Sequence, residues 1–310
     1  MDRRNLLKSV ALAAAGAGLM ASSDRVWAAA TNPQTSKATT MRLPFIAAKD
    51  GTALYYKDWS SGRNVVFASS WGMNSDMWQY QMTPMVSQGF RCVAYDRRGH
   101  GRSVQPAHGY DYDSLADDLG ALIEQLDLQE VTLVGHSMAG GEIVRYLTRH
   151  GAGRIGRIVL VAPTTPFILK TPDNPDGVPK EVFDQVRAQW SEDYPKWLVD
   201  NARPFFVADT SQAMMDWVLR LMTLTSLKAL LDCNQAFVET DFRAELPKIN
   251  VPTLIIQGDK DASTPLELTG RKTAKLIPGA QLKVYEGAPH GLMFTHIDRF
   301  NRDLVAFARS

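Results

Sequence analysis

From Leu43 onward the chain alternates two periodicities. Short runs rich in β-branched and aromatic residues are separated by longer stretches whose apolar residues recur at helical spacing. The first two runs, Leu43 to Ala47 and Leu54 to Trp59, flank Lys49-Asp50-Gly51 and predict a hairpin. Apolar runs follow at Val65 to Ser69, Arg91 to Tyr95, Val131 to Gly135, Ile158 to Ala162, Thr253 to Gly258 and Leu282 to Tyr285, as strands buried on both faces require. Helical spacing occupies Met77 to Gln88, Ser114 to Leu126, Met138 to His150, Pro265 to Leu276 and Asp298 to Ala308. The alternation predicts an α/β fold, a mostly parallel eight-stranded sheet with helices on both faces.

The alternation breaks once. Between Pro163 and Pro247 there is no strand pattern, only Pro-punctuated stretches such as Pro179 to Asp193 and Ala213 to Phe237 with helical spacing. Residues 163–247 are therefore expected to form a helical cap, inserted in a core built from 31–162 and 248–310. No internal repeat is visible.

The start has a different character. Arg3-Arg4 precedes Leu6-Leu7-Lys8, an Ala/Gly-rich apolar run covers Val10 to Ala21, and Ala28-Ala29-Ala30 offers small residues for cleavage. This is the pattern of a twin-arginine export signal over residues 1–30, removed after Ala28 or Ala30. The apolar run is shorter than the roughly 18 to 20 residues that cross a bilayer, so no stable membrane anchor is expected. The location implied is periplasmic or secreted.

Composition narrows the function classes. With 45% hydrophobic and 22% charged residues over 310 positions, the chain is that of a folded protein. A net charge of +1 provides no basic surplus to neutralise phosphates, and nucleic acid is not an expected partner. Cys92 and Cys233 belong to no CxxC pair or zinc-type cluster and read as two buried thiols, with a disulfide as the alternative.

The candidate chemistry sits at strand ends. Gly135-His136-Ser137-Met138-Ala139-Gly140-Gly141 follows a strand and opens a helical pattern, the context of a nucleophile elbow, with Ala139 in the place of the second glycine. A serine hydroxyl needs a base and a group that orients the base, in the chain order Ser, Asp, His for such elbows. Gly258-Asp259-Lys260-Asp261 ends one strand and Pro289-His290-Gly291 follows the next. Asp261 is preferred over Asp259, which reads as a turn-forming carboxylate. Of the six histidines, His290 alone follows a final strand with glycine behind it. The oxyanion donors of such a site are backbone N–H groups, here those of Met138 and of Trp71, after the third strand.

Together with Tyr95-Asp96-Arg97-Arg98-Gly99-His100-Gly101-Arg102-Ser103, these residues resemble an α/β-hydrolase. Asp76-Met77-Trp78-Gln79-Tyr80-Gln81-Met82, Glu130 to Gly135, Glu239-Thr240-Asp241-Phe242-Arg243 and Leu282 to Tyr285 are similar to the bacterial arylesterase and cofactor-free haloperoxidase (perhydrolase) group, from about Phe45 to Phe307. The resemblance implies Ser137 as nucleophile, His290 as general base, Asp261 as its partner, and Trp71 and Met138 N–H groups as oxyanion hole. It implies no metal and no organic cofactor, a small ester as substrate, hydrogen peroxide as an alternative acceptor to water, and leaves a homo-oligomer open. Three positions depart from the pattern. Ser69-Ser70 stands where relatives carry His-Gly, Gly72 where perhydrolytic relatives often carry Pro, and His136 and Ala139 where Phe and Gly are usual. Arg97 and Arg98 read as parts of a structural turn, and Phe167, Trp197, Phe205 and Phe206 offer themselves as walls of an apolar pocket.

The leading expectation is an exported serine esterase. A perhydrolase or haloperoxidase, a carbon–carbon hydrolase or lyase with the same triad, and a non-catalytic ligand-binding protein on the same fold are the other readings. Dehalogenases and epoxide hydrolases use an aspartate where Ser137 stands.

Overall fold

The computed structural model describes residues 44–310, so the expected export signal at 1–30 lies outside the described residues. Eight strands form one sheet: β1 (Phe45–Ala47), β2 (Ala53–Trp59), β3 (Arg63–Ala68), β4 (Phe90–Tyr95), β5 (Val131–His136), β6 (Ile155–Val161), β7 (Thr253–Gly258) and β8 (Gln281–Tyr285). Their order is β1-β2-β4-β3-β5-β6-β7-β8. β2 runs antiparallel to both β1 and β4, and every other pair is parallel.

β5 lies in the middle of the sheet, and all six of its residues are buried. Successive side chains leave opposite faces of a strand. Leu133 accordingly joins one apolar core and Val134 the other. The first core packs α2 (Tyr112–Gln125) and α3 (Ala139–His150) on the sheet through Leu115, Leu119, Ile143 and Val144. The second packs α1 (Gln79–Val86) and the C-terminal helix through Met82, Met85, Phe300 and Leu304. This double cover is what buries β5 at every position.

Between β6 and β7 the chain forms α4 (Lys180–Asn201), α5 (Gln212–Met222) and α6 (Leu227–Glu239). α4 continues past the expected end at Asp193, but its backbone is non-helical there (φ −154°, ψ 81°), two residues before Pro195. The single pattern over 213–237 resolves into two helices because Ser226 caps the second, its side chain accepting from the Ala229 N–H. Short β-bridges join Leu169 to Val178 and Thr171 to Asn174, where no extended structure is expected from the sequence. The helix expected from Pro265 is shorter: α7 (Gly270–Leu276) begins after Thr269. A short α8 (Leu292–Thr295) follows β8 and leads into α9 (Ile297–Arg309). Both cysteines are buried and free, as expected.

Candidate active site

Ser137 follows β5 and precedes α3. Its φ of 59° lies in the left-handed region, which costs a non-glycine residue free energy unless its surroundings enforce it. The enforcement is visible. The Ser137 N–H donates to Val161 O (2.8 Å), and Ser137 O accepts from the N–H groups of Gly140 (3.0 Å) and Thr164 (3.3 Å). Ala139 is fully buried and its methyl is accommodated. The steric requirement falls on Gly140 instead, where a Cβ would stand 2.9 Å from Pro163 Cβ.

Asp261 and His290 meet. Asp261 leaves the end of β7 and His290 the end of β8, strands that lie side by side. His290 Nδ1 is 2.8 Å from Asp261 Oδ2. The other carboxylate oxygen accepts the N–H groups of Ser263 (2.9 Å) and Thr264 (2.8 Å), and Oδ2 also accepts the Thr264 hydroxyl (2.9 Å). Burial alone would raise the Asp261 pKa, but His290 and the Thr264 donors outweigh it and hold the carboxyl below its ordinary range. Asp259 has a different job: its Oδ1 accepts the Gly287 N–H (2.7 Å) and ties the two strand-end loops together. With Nδ1 committed, Nε2 is the His290 nitrogen left over, and Ser137 and His290 line one cavity.

Ser70 and Trp71 line the same cavity. Among the described residues, neither the Trp71 N–H nor the Met138 N–H donates to a protein acceptor. The loop bearing Trp71 is clamped from two sides. Beneath it Arg97, fully buried, donates to Ser69 O (2.8 Å) and Ser70 O (3.4 Å), while its Nε and Nη2 grip Glu142 Oε2 on α3 (2.9 and 2.6 Å). Support for the Ser69-Ser70 segment therefore comes from Arg97, and the same guanidinium joins that segment to the helix that follows Ser137. Arg98 stays structural, paired with Asp118 and Asp50. Above the loop, Trp71 Nε1 donates to Leu230 O (2.8 Å), its ring lies against Trp190, and Thr225 donates to Gly72 O (2.9 Å).

The cavity measures about 390 Å³, within the range of small-molecule sites. Of the aromatic walls expected from sequence, Trp197, Phe205 and Phe206 line it. Phe167 does not; its ring lies under the Arg243 guanidinium, 5.2 Å away. Trp190, Phe183 and Leu268 belong to the same apolar wall, and among the described residues no Lys, Arg, Asp or Glu lines the cavity. Trp190 is hidden in the sequence because an aromatic at helical spacing reads as core; its contact with Trp71 is tertiary. Among the described residues no group of three or more His, Cys, Asp or Glu side chains could hold a metal ion.

The comparisons with known proteins bear on the fold and the family. The α/β hydrolase fold family matches residues 63–297. A non-heme chloroperoxidase of Kitasatospora aureofaciens is 43% identical, over 86% of this chain and 99% of that protein. A bifunctional esterase/perhydrolase of Acinetobacter calcoaceticus is 39% identical, over 86% of this chain and all of that protein. A solved esterase from Exiguobacterium antarcticum superposes with a TM-score of 0.83 at 33% identity, over 86% of this chain and 99% of the other. Fold, family match and relatives converge on one conclusion: the chain belongs to the α/β hydrolase fold family and is an enzyme of that family.

Proposed function

We propose that the protein is an exported serine esterase that cleaves small, uncharged esters through an acyl-enzyme. The observation that carries this reading is the 2.8 Å bond between His290 Nδ1 and Asp261 Oδ2, with His290 and Ser137 lining one cavity. In the proposed reaction His290 Nε2 takes the Ser137 proton as Oγ attacks the ester carbonyl. The Trp71 and Met138 N–H groups receive the oxyanion; loss of one such donor costs about 2.7 to 4 kcal/mol in comparable chemistry. His290 then protonates the leaving alcohol, and Asp261 stabilises the transient imidazolium. Water, deprotonated by the same imidazole, attacks the acyl carbon, releases the acid and returns the proton to Ser137.

A second reading keeps this machinery and changes the acceptor. The names of the relatives, a bifunctional esterase/perhydrolase and a non-heme chloroperoxidase, favour it. Hydrogen peroxide in place of water would attack the acyl-enzyme and leave as a peracid, with Ser137 again protonated.

The test is hydrolysis of a short-chain aryl acetate by the purified protein, beside Ser137→Ala, with peracid measured in added peroxide. Loss of turnover with the serine is expected, and the peroxide arm assigns the acceptor. Undiminished hydrolysis by a folded Ser137→Ala would overturn the mechanism, and a folded wild type inactive on all esters would favour a binding protein. Export is tested by replacing Arg3 and Arg4 with lysine, which should strand the chain in the cytoplasm.

A further inference from the structure

We propose that His136 is a positioning residue, whose Nε2–H holds the main-chain carbonyl of His290 and so fixes the peptide from which the general base projects. The proposal rests on the reading of His290 as that base. His136 closes β5, immediately before Ser137, and is fully buried. Its Nε2 lies 3.1 Å from His290 O, and the two imidazoles stand with ring centroids 4.5 Å apart. A carbonyl only accepts, so Nε2 carries the hydrogen and Nδ1 is left as an acceptor.

That Nδ1 has no partner, although it is buried. An apolar side chain in the same hole would avoid the penalty of an unpaired polar atom. The bond to His290 O is what the histidine supplies in return. Burial and the adjacent His290 hold His136 well below the usual imidazole range, which keeps it neutral and preserves the arrangement of one donor and one bare nitrogen.

The same peptide is held at its other end. The Gly291 N–H donates to Phe205 O (3.1 Å), so the His290–Gly291 unit is tied through both its C=O and its N–H. Asp261 fixes the ring at Nδ1. These three points define where Nε2 sits relative to Ser137. Without the His136 donor, the peptide plane retains one tether and the base loses registry with the serine. Such misplacement slows chemistry and leaves the apolar binding cavity intact.

The experiment compares His136→Gln, which restores an N–H near the Nε2 position, with the near-isosteric donor-free His136→Met and with His136→Phe. Aryl-acetate kinetics, thermal melting and a Ser137→Ala control are run on each preparation. The expected result is a fall in kcat of about tenfold for Met and Phe at unchanged KM and retained melting, with Gln within about twofold of wild type. Wild-type kcat in either donor-free variant would overturn the proposal. So would a Gln variant as slow as Met, or unfolding in step with loss of the donor, which would assign the bond to stability alone. Activity surviving in Ser137→Ala would instead sink the serine mechanism and leave the His136 comparison legible as a separate failure.

Discussion

The indole of Trp71 lies against that of Trp190, ring centroids 4.5 Å apart and planes 31° from parallel. A side chain of α4 thus bears directly on the loop that carries the unpaired Trp71 N–H, in a cavity that Ser137 also lines.

Trp190→Ala should therefore slow the turnover even of an acetyl ester too small to fill the cavity. An aromatic contact of this kind contributes about 0.5–1.5 kcal/mol, so the expected drop in kcat is about two- to tenfold, with Trp190→Phe largely sparing it. Steady-state kinetics on acetate and hexanoate aryl esters would check this. An effect confined to the longer ester and to KM would reduce Trp190 to a wall of the cavity.

Asp261→Asn should lower kcat by up to about 10⁴, because the amide cannot hold the imidazole in the tautomer the reaction needs. Asp259→Asn should change it less than about twofold, since the Asp259 side chain accepts the Gly287 N–H through Oδ1, an acceptor that the amide keeps. The pair of variants, assayed together, distinguishes the two carboxylates of one loop.

The depressed pKa of Asp261 has a stability consequence. A carboxyl held below its ordinary value contributes stability in full above the unfolded value, about 3.9, and loses it as pH falls through the folded value. The melting-temperature difference between wild type and Asp261→Asn should shrink as pH falls below about 4. A difference that grew below that pH would contradict the assignment.

Arg97→Met should destabilise the fold by about 3–5 kcal/mol, because Glu142 would remain buried and unpaired. Adding Glu142→Leu should recover most of that loss in denaturant titrations. It should not recover kcat, since the Ser69 and Ser70 carbonyls would still lack their donor.

Much of this arrangement was legible in the chain itself, and the reasons are local. Val131 to Gly135 is apolar apart from Thr132, a run that a strand covered on both faces tolerates. The order Ser137, Asp261, His290 at the ends of β5, β7 and β8 is a property of sequence and topology together. The support of Ser69-Ser70 was not legible, because its donor, Arg97, lies 28 residues from Ser69 and reads as an ordinary turn residue. Gly72 is similar. Its φ of +72° is closed to proline, whose ring fixes φ near −65°, and a left-handed turn at one glycine leaves no pattern in the neighbouring residues. The split of 213–237 into α5 and α6 turns on one cap, Ser226, inside an otherwise continuous apolar pattern.

The uncharged lining of the cavity also bears on how substrate arrives. A neutral ester carries no net charge for a field to pull toward Ser137, so its encounter is governed by diffusion and by the shape of the mouth. For a neutral ester, kcat/KM should hold steady from dilute buffer to high salt, since there is no attraction for ions to screen. An ester bearing a carboxylate would meet no counter-charge on entering and would have to surrender its hydration without compensation.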